Sequence, residues 1–325
     1  MKLIVLGLLT AVAVAATAFK KDYTGFELYE VLPVTKEQHE VVHELEANYD
    51  FWSPSTVLVP PQKRDHFLRT LGKNGIQYNI VTENAQKMLD EFEVMQLKAQ
   101  ARSGFRLTWD AYYQWEAIND FIDEVVASSN GMATATDIGQ SYEGRTMRLI
   151  NIKPSQSTKK IWMDCEVGSS NDKCSEIYAG TEAFSEIESK NLGDALANLN
   201  SDGSVLIYIT VHSYSQVVVS PWSWTAERPD DFDELERVGL RTIEAISDVY
   251  GTYYEFSQST QYFGPTSGSS DDWAKAGAGV ALSYTWELRP RSSNPGFLLP
   301  PEQIIPTCTE TWAGVKEAVM AADGQ

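Results

Sequence analysis

The run Val205-Leu-Ile-Tyr-Ile-Thr-Val-His212-Ser-Tyr214-Ser-Gln-Val-Val-Val219 reads as a buried strand that ends at an imidazole. From Val205 to Val211 it is apolar and rich in β-branched residues, the composition of a strand covered on both faces. Small polar residues then follow His212. In an open α/β sheet the binding crevice lies beyond the carboxyl ends of the strands, so a histidine at this point is placed to hold a metal or move a proton. A histidine closing an apolar strand also serves as a hydrogen-bonded structural residue, and the local sequence leaves both readings open.

A second apolar run, Val280-Ala-Leu-Ser-Tyr-Thr-Trp-Glu287-Leu-Arg289, closes on a carboxylate. Glu287 there is either desolvated with a raised pKa or paired with a neighbour such as Arg289. Between the two strands lie Ser-Thr-Gln-Tyr262-Phe-Gly-Pro and Ser267-Gly-Ser-Ser-Asp271-Asp-Trp273-Ala, and after them Pro295-Gly-Phe-Leu-Leu-Pro-Pro-Glu-Gln-Ile-Ile-Pro306. In this order and register the segments resemble the C-terminal half of the zinc carboxypeptidases of the pancreatic A and B kind. The resemblance runs over nearly all of Asn171 to Met320, and an ordered, weaker likeness to the activation domain covers the first third.

The resemblance implies an α/β fold, a mixed-sheet carboxypeptidase-like domain preceded by a ferredoxin-like α+β activation domain. It implies hydrolytic release of the C-terminal residue of peptides, with Zn2+ as cofactor. His212 matches a zinc ligand and Glu287 the general base, while Tyr262 and Tyr214 match substrate-side tyrosines. Asp271 matches the position that lines the pocket for the last side chain, where an acid favours C-terminal Lys or Arg. Read locally, one acid of the Asp271-Asp272 pair also suits the cap of a following helical turn.

The first third carries its own pattern. Phe26-Glu-Leu-Tyr-Glu-Val-Leu-Pro-Val alternates as a strand does, and Thr35-Lys-Glu-Gln38 offers a capping box for a helix to about Ala47. Strands around Phe51 and Val57 to Val59, a helix opened by Pro61 and a strand over Ile76 to Thr82 complete a βαββαβ order. Residues from Asn84 to about Ala101 form a connecting helix. Lys98, Arg102 and Arg106 sit where a trypsin-like protease would release this domain, with Arg102 the preferred cut. His39-Glu-Val-Val-His43 fits a zinc-binding spacing, but a catalytic zinc needs a third ligand and a cleft, and one short amphipathic helix reads better as a solvated face.

At the other junction the resemblance breaks. Trp109 to Val126 reads as an amphipathic helix, Asp137 to Ile152 as a hairpin turned at Glu143-Gly144, and Lys160-Ile-Trp-Met-Asp-Cys165 as a strand. In the family that strand leads directly into a His-x-x-Glu segment with two more zinc ligands. Here Cys165 is followed by Glu-Val-Gly-Ser-Ser-Asn-Asp-Lys-Cys174, which resembles a much later piece. A block of about a quarter to a third of the catalytic domain is thus missing after Cys165. The resemblance pairs Cys174 with a cysteine of that block, in keeping with an odd total of 3 cysteines. Ser185-Glu-Ile-Glu188 reads as a capping box for a helix to about Leu199, and Asp230 to Tyr250 as a surface helix.

Composition sets the outer limits. The 325 residues carry 26 basic against 45 acidic side chains, net -19, which argues against nucleic acid and anionic membrane surfaces as partners. Lys2, the apolar run Leu3 to Ala16 and Ala16-Thr-Ala18 read as a signal peptide over 1–18, cleaved before Phe19; its apolar run is shorter than the ~20 residues that span a bilayer. The expected organisation is signal peptide 1–18, activation prodomain 19–102 and carboxypeptidase-like domain 103–325. The expected protein is secreted and monomeric, with peptide or protein C-termini and a trypsin-like activating protease as partners.

Overall fold

The computed structural model describes residues 21–46, 48–53, 55–102, 107–152, 158–164 and 180–324. The signal peptide, Arg106, Cys165, Cys174 and the Cys165-Glu166 junction lie outside the described residues.

The first part runs β1 (Glu27–Leu32), α1 (Lys36–Glu46), β2 (Asp50–Ser53), β3 (Thr56–Val59), α2 (Arg64–Lys73), β4 (Gln77–Thr82) and α3 (Ala85–Arg102). Its antiparallel sheet has the order β2-β3-β1-β4, the split βαββαβ arrangement. Alternation fixes its faces: Tyr29, Val31, Val57 and Val59 bury against Val42, Leu45, Phe67 and Leu71 of the two helices. The expected capping box forms, with the Gln38 amide donating to Thr35 Oγ1 and the Thr35 amide to Gln38 Oε1, each at 3.3 Å.

The second part runs α4 (Trp115–Ser128), β5 (Ala133–Gln140), β6 (Thr146–Ile152), β7 (Lys160–Asp164), α5 (Ile187–Leu199), β8 (Val205–Ser213), β9 (Val217–Ser220), α6 (Phe232–Tyr250), β10 (Glu255–Gln258), α7 (Ser259–Phe263), α8 (Ser270–Ala276), β11 (Leu282–Leu288) and α9 (Ile304–Ala322). Five strands make a mixed sheet in the order β10-β9-β11-β8-β7, parallel except between β9 and β11. On one face Ile207, Ile209, Val218, Tyr284 and Trp286 pack on Leu235, Val238, Val315 and Ala318 of α6 and α9. On the other, Trp162 and Tyr208 pack with Leu196 of α5 and Ala274 of α8. The β5-β6 hairpin turns at Gly144, whose φ of +78° suits glycine, and stands as a separate two-stranded sheet. Leu149 of β6 shares the apolar cluster of Trp162 and Leu196, yet no ladder joins β6 to β7 among the described residues. Ile161 and Met163 of β7 stay 43% and 44% exposed on that open edge.

Two local expectations give way. The helix expected from Trp109 starts only at Trp115, because Gln96 and Gln100 of α3 bond the backbone amide and carbonyl of Tyr112 and hold the chain off the helix. The Ser185 cap does not form: α5 starts at Ile187, and the Ser185 hydroxyl instead accepts the Thr181 amide at 3.0 Å and donates to Glu186. Among the described residues no helix is long and apolar enough to cross a membrane.

Candidate active-site face

Parallel pairing of β8 and β11 sets His212 directly opposite Glu287, with Thr210 opposite Thr285 and Tyr208 opposite Ser283. Alternation sends the intervening Ile207, Ile209, Tyr284 and Trp286 into the apolar core, so the polar series shares the other face. Both strands run past the expected apolar limits, and His212 and Glu287 lie within their last residues rather than beyond them.

Glu287 takes the desolvated alternative. Its Oε2 is buried without a hydrogen-bond partner, and burial pushes its pKa up to about 8. Arg289 turns away: its Nε donates to Glu310 Oε1 at 2.7 Å, its second terminal nitrogen bonds Glu310 Oε2 and the Thr252 hydroxyl, and Nη1 reaches Gln303. His212 is held neutral by burial, its pKa lowered, with Nε2 3.2 Å from Thr210 Oγ1.

Two buried aspartates stand behind the pair. Asp164 of β7 accepts the Trp162 indole N–H at 2.6 Å and the Tyr208 hydroxyl at 2.9 Å; burial still raises its pKa. Asp271 is 0% exposed on α8; its Oδ1 accepts the Asp272 amide at 3.1 Å, and its Oδ2 is unpartnered. Burial first, and Asp272 second, push its pKa up to about 7. The helix-capping alternative for this pair does not hold: α8 has no side-chain cap bond, and the Asp272 carboxylate instead accepts the Ser223 amide at 2.9 Å.

Tyr262 lies half-buried on α7, its hydroxyl raised in pKa by burial, then by the charges of Glu255 and Glu287. Tyr214 is buried under the first domain. Its hydroxyl meets Thr56 Oγ1 at 3.0 Å and its ring packs edge-on to Phe297 at 5.0 Å; Trp52 contacts the same Phe297, and Ser293 donates to Glu30. All five expected site residues thus belong to the second part, and one of them is covered by the first. Sequence reasoning missed Asp164, Thr210 and Thr285, although polar residues at every second place of an apolar run mark such a face.

The donor set of the described residues does not fit a bound zinc. Among the described residues no three His, Cys, Asp or Glu side chains converge as a metal requires. His39 and His43 lie exposed on α1, where His43 pairs with Glu46 at 2.9 Å, a solvated helix face as expected.

The profile of the zinc carboxypeptidases matches residues 159–314, and that of the carboxypeptidase activation peptide residues 29–92. Carboxypeptidase B of Astacus astacus is 31% identical over 295 residues, covering 65% of this chain and 96% of that relative. Carboxypeptidase A2 of Mus musculus is 27% identical over 395 residues, covering 91% and 94%; that alignment is longer than the 325 residues available here, so the relative carries residues this chain lacks. Among solved structures, carboxypeptidase A from Helicoverpa armigera superposes with a TM-score of 0.85 at 21% identity, covering 94% of this chain and 99% of that one. Thrombin activatable fibrinolysis inhibitor gives 0.75, also at 21% identity, covering 92% and 99%. At such identities the structural likeness speaks for the fold.

Proposed function

Because the chain belongs to the zinc carboxypeptidase family and carries its activation-peptide domain, we propose that it is a secreted, digestive zymogen of that family whose hydrolytic machinery is impaired. The class reaction is release of the C-terminal residue from peptides. In it His212 is the surviving zinc ligand, Glu287 the general base, and Tyr214, Tyr262 and Asp271 the substrate-side groups. A buried acid at Asp271 favours C-terminal Lys or Arg, since an ion pair formed out of water is strong and selective.

The observation that carries the impairment is the donor set. His212 is the single histidine of the second part, the other three of 4 being His39, His43 and His66, and no trio of ligands forms among the described residues. A catalytic zinc is held by three protein side chains. What remains is a neutral Glu287 beside a neutral His212, suited to hold a peptide end by hydrogen bonds. The test is turnover of peptides ending in Lys, Arg or an aromatic residue after trypsin treatment, with and without added Zn2+. Activity no higher than that of a Glu287→Gln control is expected; turnover above that control overturns the reading.

A further inference from the structure

We propose that the cavity between α4 and the β5-β6 hairpin is a binding site for an uncharged aromatic molecule that carries a hydrogen-bond acceptor. None of its lining residues belongs to the His212-Glu287 face, so the site stands apart from any peptidase activity.

The cavity exists because α4 is amphipathic and its apolar side is left open. Trp115, Ile118 and Ile122 recur three and four residues apart and so share one side of the helix. Yet no residue of α4 is buried, and Trp115 and Ile118 stay 41% and 45% exposed. These three line one wall of a cavity of about 390 Å3, and Ser141, Thr146 and Met147 of the hairpin line the other. That volume falls in the range of sites that take small organic ligands.

Bonds on two sides hold the space open. Arg148 is a strut from β6 to α4: its Nη1 donates to the Asn119 carbonyl at 3.3 Å and its Nη2 to Asp123 at 2.6 Å. Near the turn, the Tyr142 amide donates to Glu188 Oε1 at 2.8 Å and the Asn191 side chain to the Gln140 carbonyl at 3.0 Å, which ties the hairpin to α5. The hairpin cannot settle onto Trp115 and Ile118 without breaking these bonds. A site preformed in this way costs a ligand little ordering.

Charge and hydrogen bonding select the ligand. Two guanidiniums, Arg145 and Arg148, stand in the lining, but Arg145 pairs with Glu143, and Arg148 with Asp123 and, at 3.7 Å, Asp137. Three carboxylates against two guanidiniums leave an anion no net attraction. A cation would have to shed its water beside both arginines, which is costly. An uncharged ring meets the Trp115 indole and the two isoleucines instead. Ser141 Oγ accepts the Arg145 amide at 3.1 Å, which leaves the hydroxyl proton to offer to an acceptor on the ligand.

The test is fluorescence titration of the whole chain with 6-propionyl-2-(dimethylamino)naphthalene, a neutral two-ring ketone whose emission moves to the blue out of water. Saturable one-to-one binding is expected. Competition then uses a matched pair, neutral 2-acetylnaphthalene and anionic 2-naphthoate at pH 7; the ketone should displace the dye at roughly ten-fold lower concentration or less. Ile118→Trp fills the cavity from a half-exposed position and should weaken the dye by roughly ten-fold or more, and Ser141→Ala by about five-fold. Absence of saturable dye binding, equal or better competition by the naphthoate, or unchanged dye affinity in a folded Ile118→Trp overturns the proposal. The two-competitor comparison needs only the wild type and decides even if a variant fails to fold.

Discussion

Glu287 and His212 face each other across adjacent parallel strands as register partners, although 75 positions of chain separate their numbers in the sequence. The ladder between β8 and β11 brings them together, and the polar alternation of both strands keeps them on one face. This relationship makes the remaining behaviour of the site predictable.

Stability should fall as pH rises through neutrality. Glu287 has a folded pKa of about 8 against an ordinary 4.5, and Asp271 about 7 against 3.8, both through burial. The folded state then binds more protons than the unfolded one between about pH 4 and 8, so unfolding becomes easier across that window. The combined loss is on the order of a few kcal/mol. Urea denaturation from pH 5 to 8 should show a falling midpoint for the wild type and a flatter profile for Glu287→Gln and Asp271→Asn.

The ion pair of Arg289 and Glu310 holds α9 to the end of β11. Glu310 is 0% exposed and also accepts the Thr252 hydroxyl at 2.6 Å. Removing one charge strands the other, which costs about 3 kcal/mol or more. Glu310→Gln should lower the urea midpoint by a corresponding amount at pH 7, and an unchanged midpoint would show the pair to be energetically idle.

Gly239 should resist the usual helix-stabilising exchange. Alanine in place of a helical glycine normally gains about 1 kcal/mol. An added Cβ on Gly239 of α6 would collide with the ring of Phe256 on β10, and overpacking of this kind costs about 1–3 kcal/mol. Thermal melting of Gly239→Ala is expected below the wild type.

Limited trypsin digestion should cut first after Arg102, the exposed last residue of α3. Mass spectrometry should find fragments ending there, and Arg102→Gln should slow the first cut. Prior cleavage at Lys63 or Arg64, inside the first domain, would count against this as the activation point.

The legible parts were those where local chemistry and long-range order agree. The Thr35-Gln38 cap and the turn at Gly144 each write their structure into a few adjacent residues, whereas the alternation over Ile76 to Thr82 gives a strand whose Tyr78 and Ile80 stay exposed. Ser185 failed because its hydroxyl is used by Thr181, a bond across a loop. Trp109 failed because glutamines from α3 take the backbone groups of Tyr112. At the site, His212 and Glu287 stood out as polar ends of apolar strands. The choice between burial and pairing for Glu287 depended on where Arg289 pointed, and a glutamate 21 positions further on settled it. Asp164 was invisible because its partner Tyr208 lies on the neighbouring strand, 44 positions away.

The bare margin of β7 has a practical meaning for anyone handling this protein. Among the described residues no strand pairs with that margin, and an edge of this kind, with Ile161 and Met163 exposed beside it, is a template for intermolecular ladders. Shelf life in concentrated stocks should therefore be short, with turbidity and thioflavin binding growing over days. Ile161→Lys should extend it without touching the polar face across the sheet.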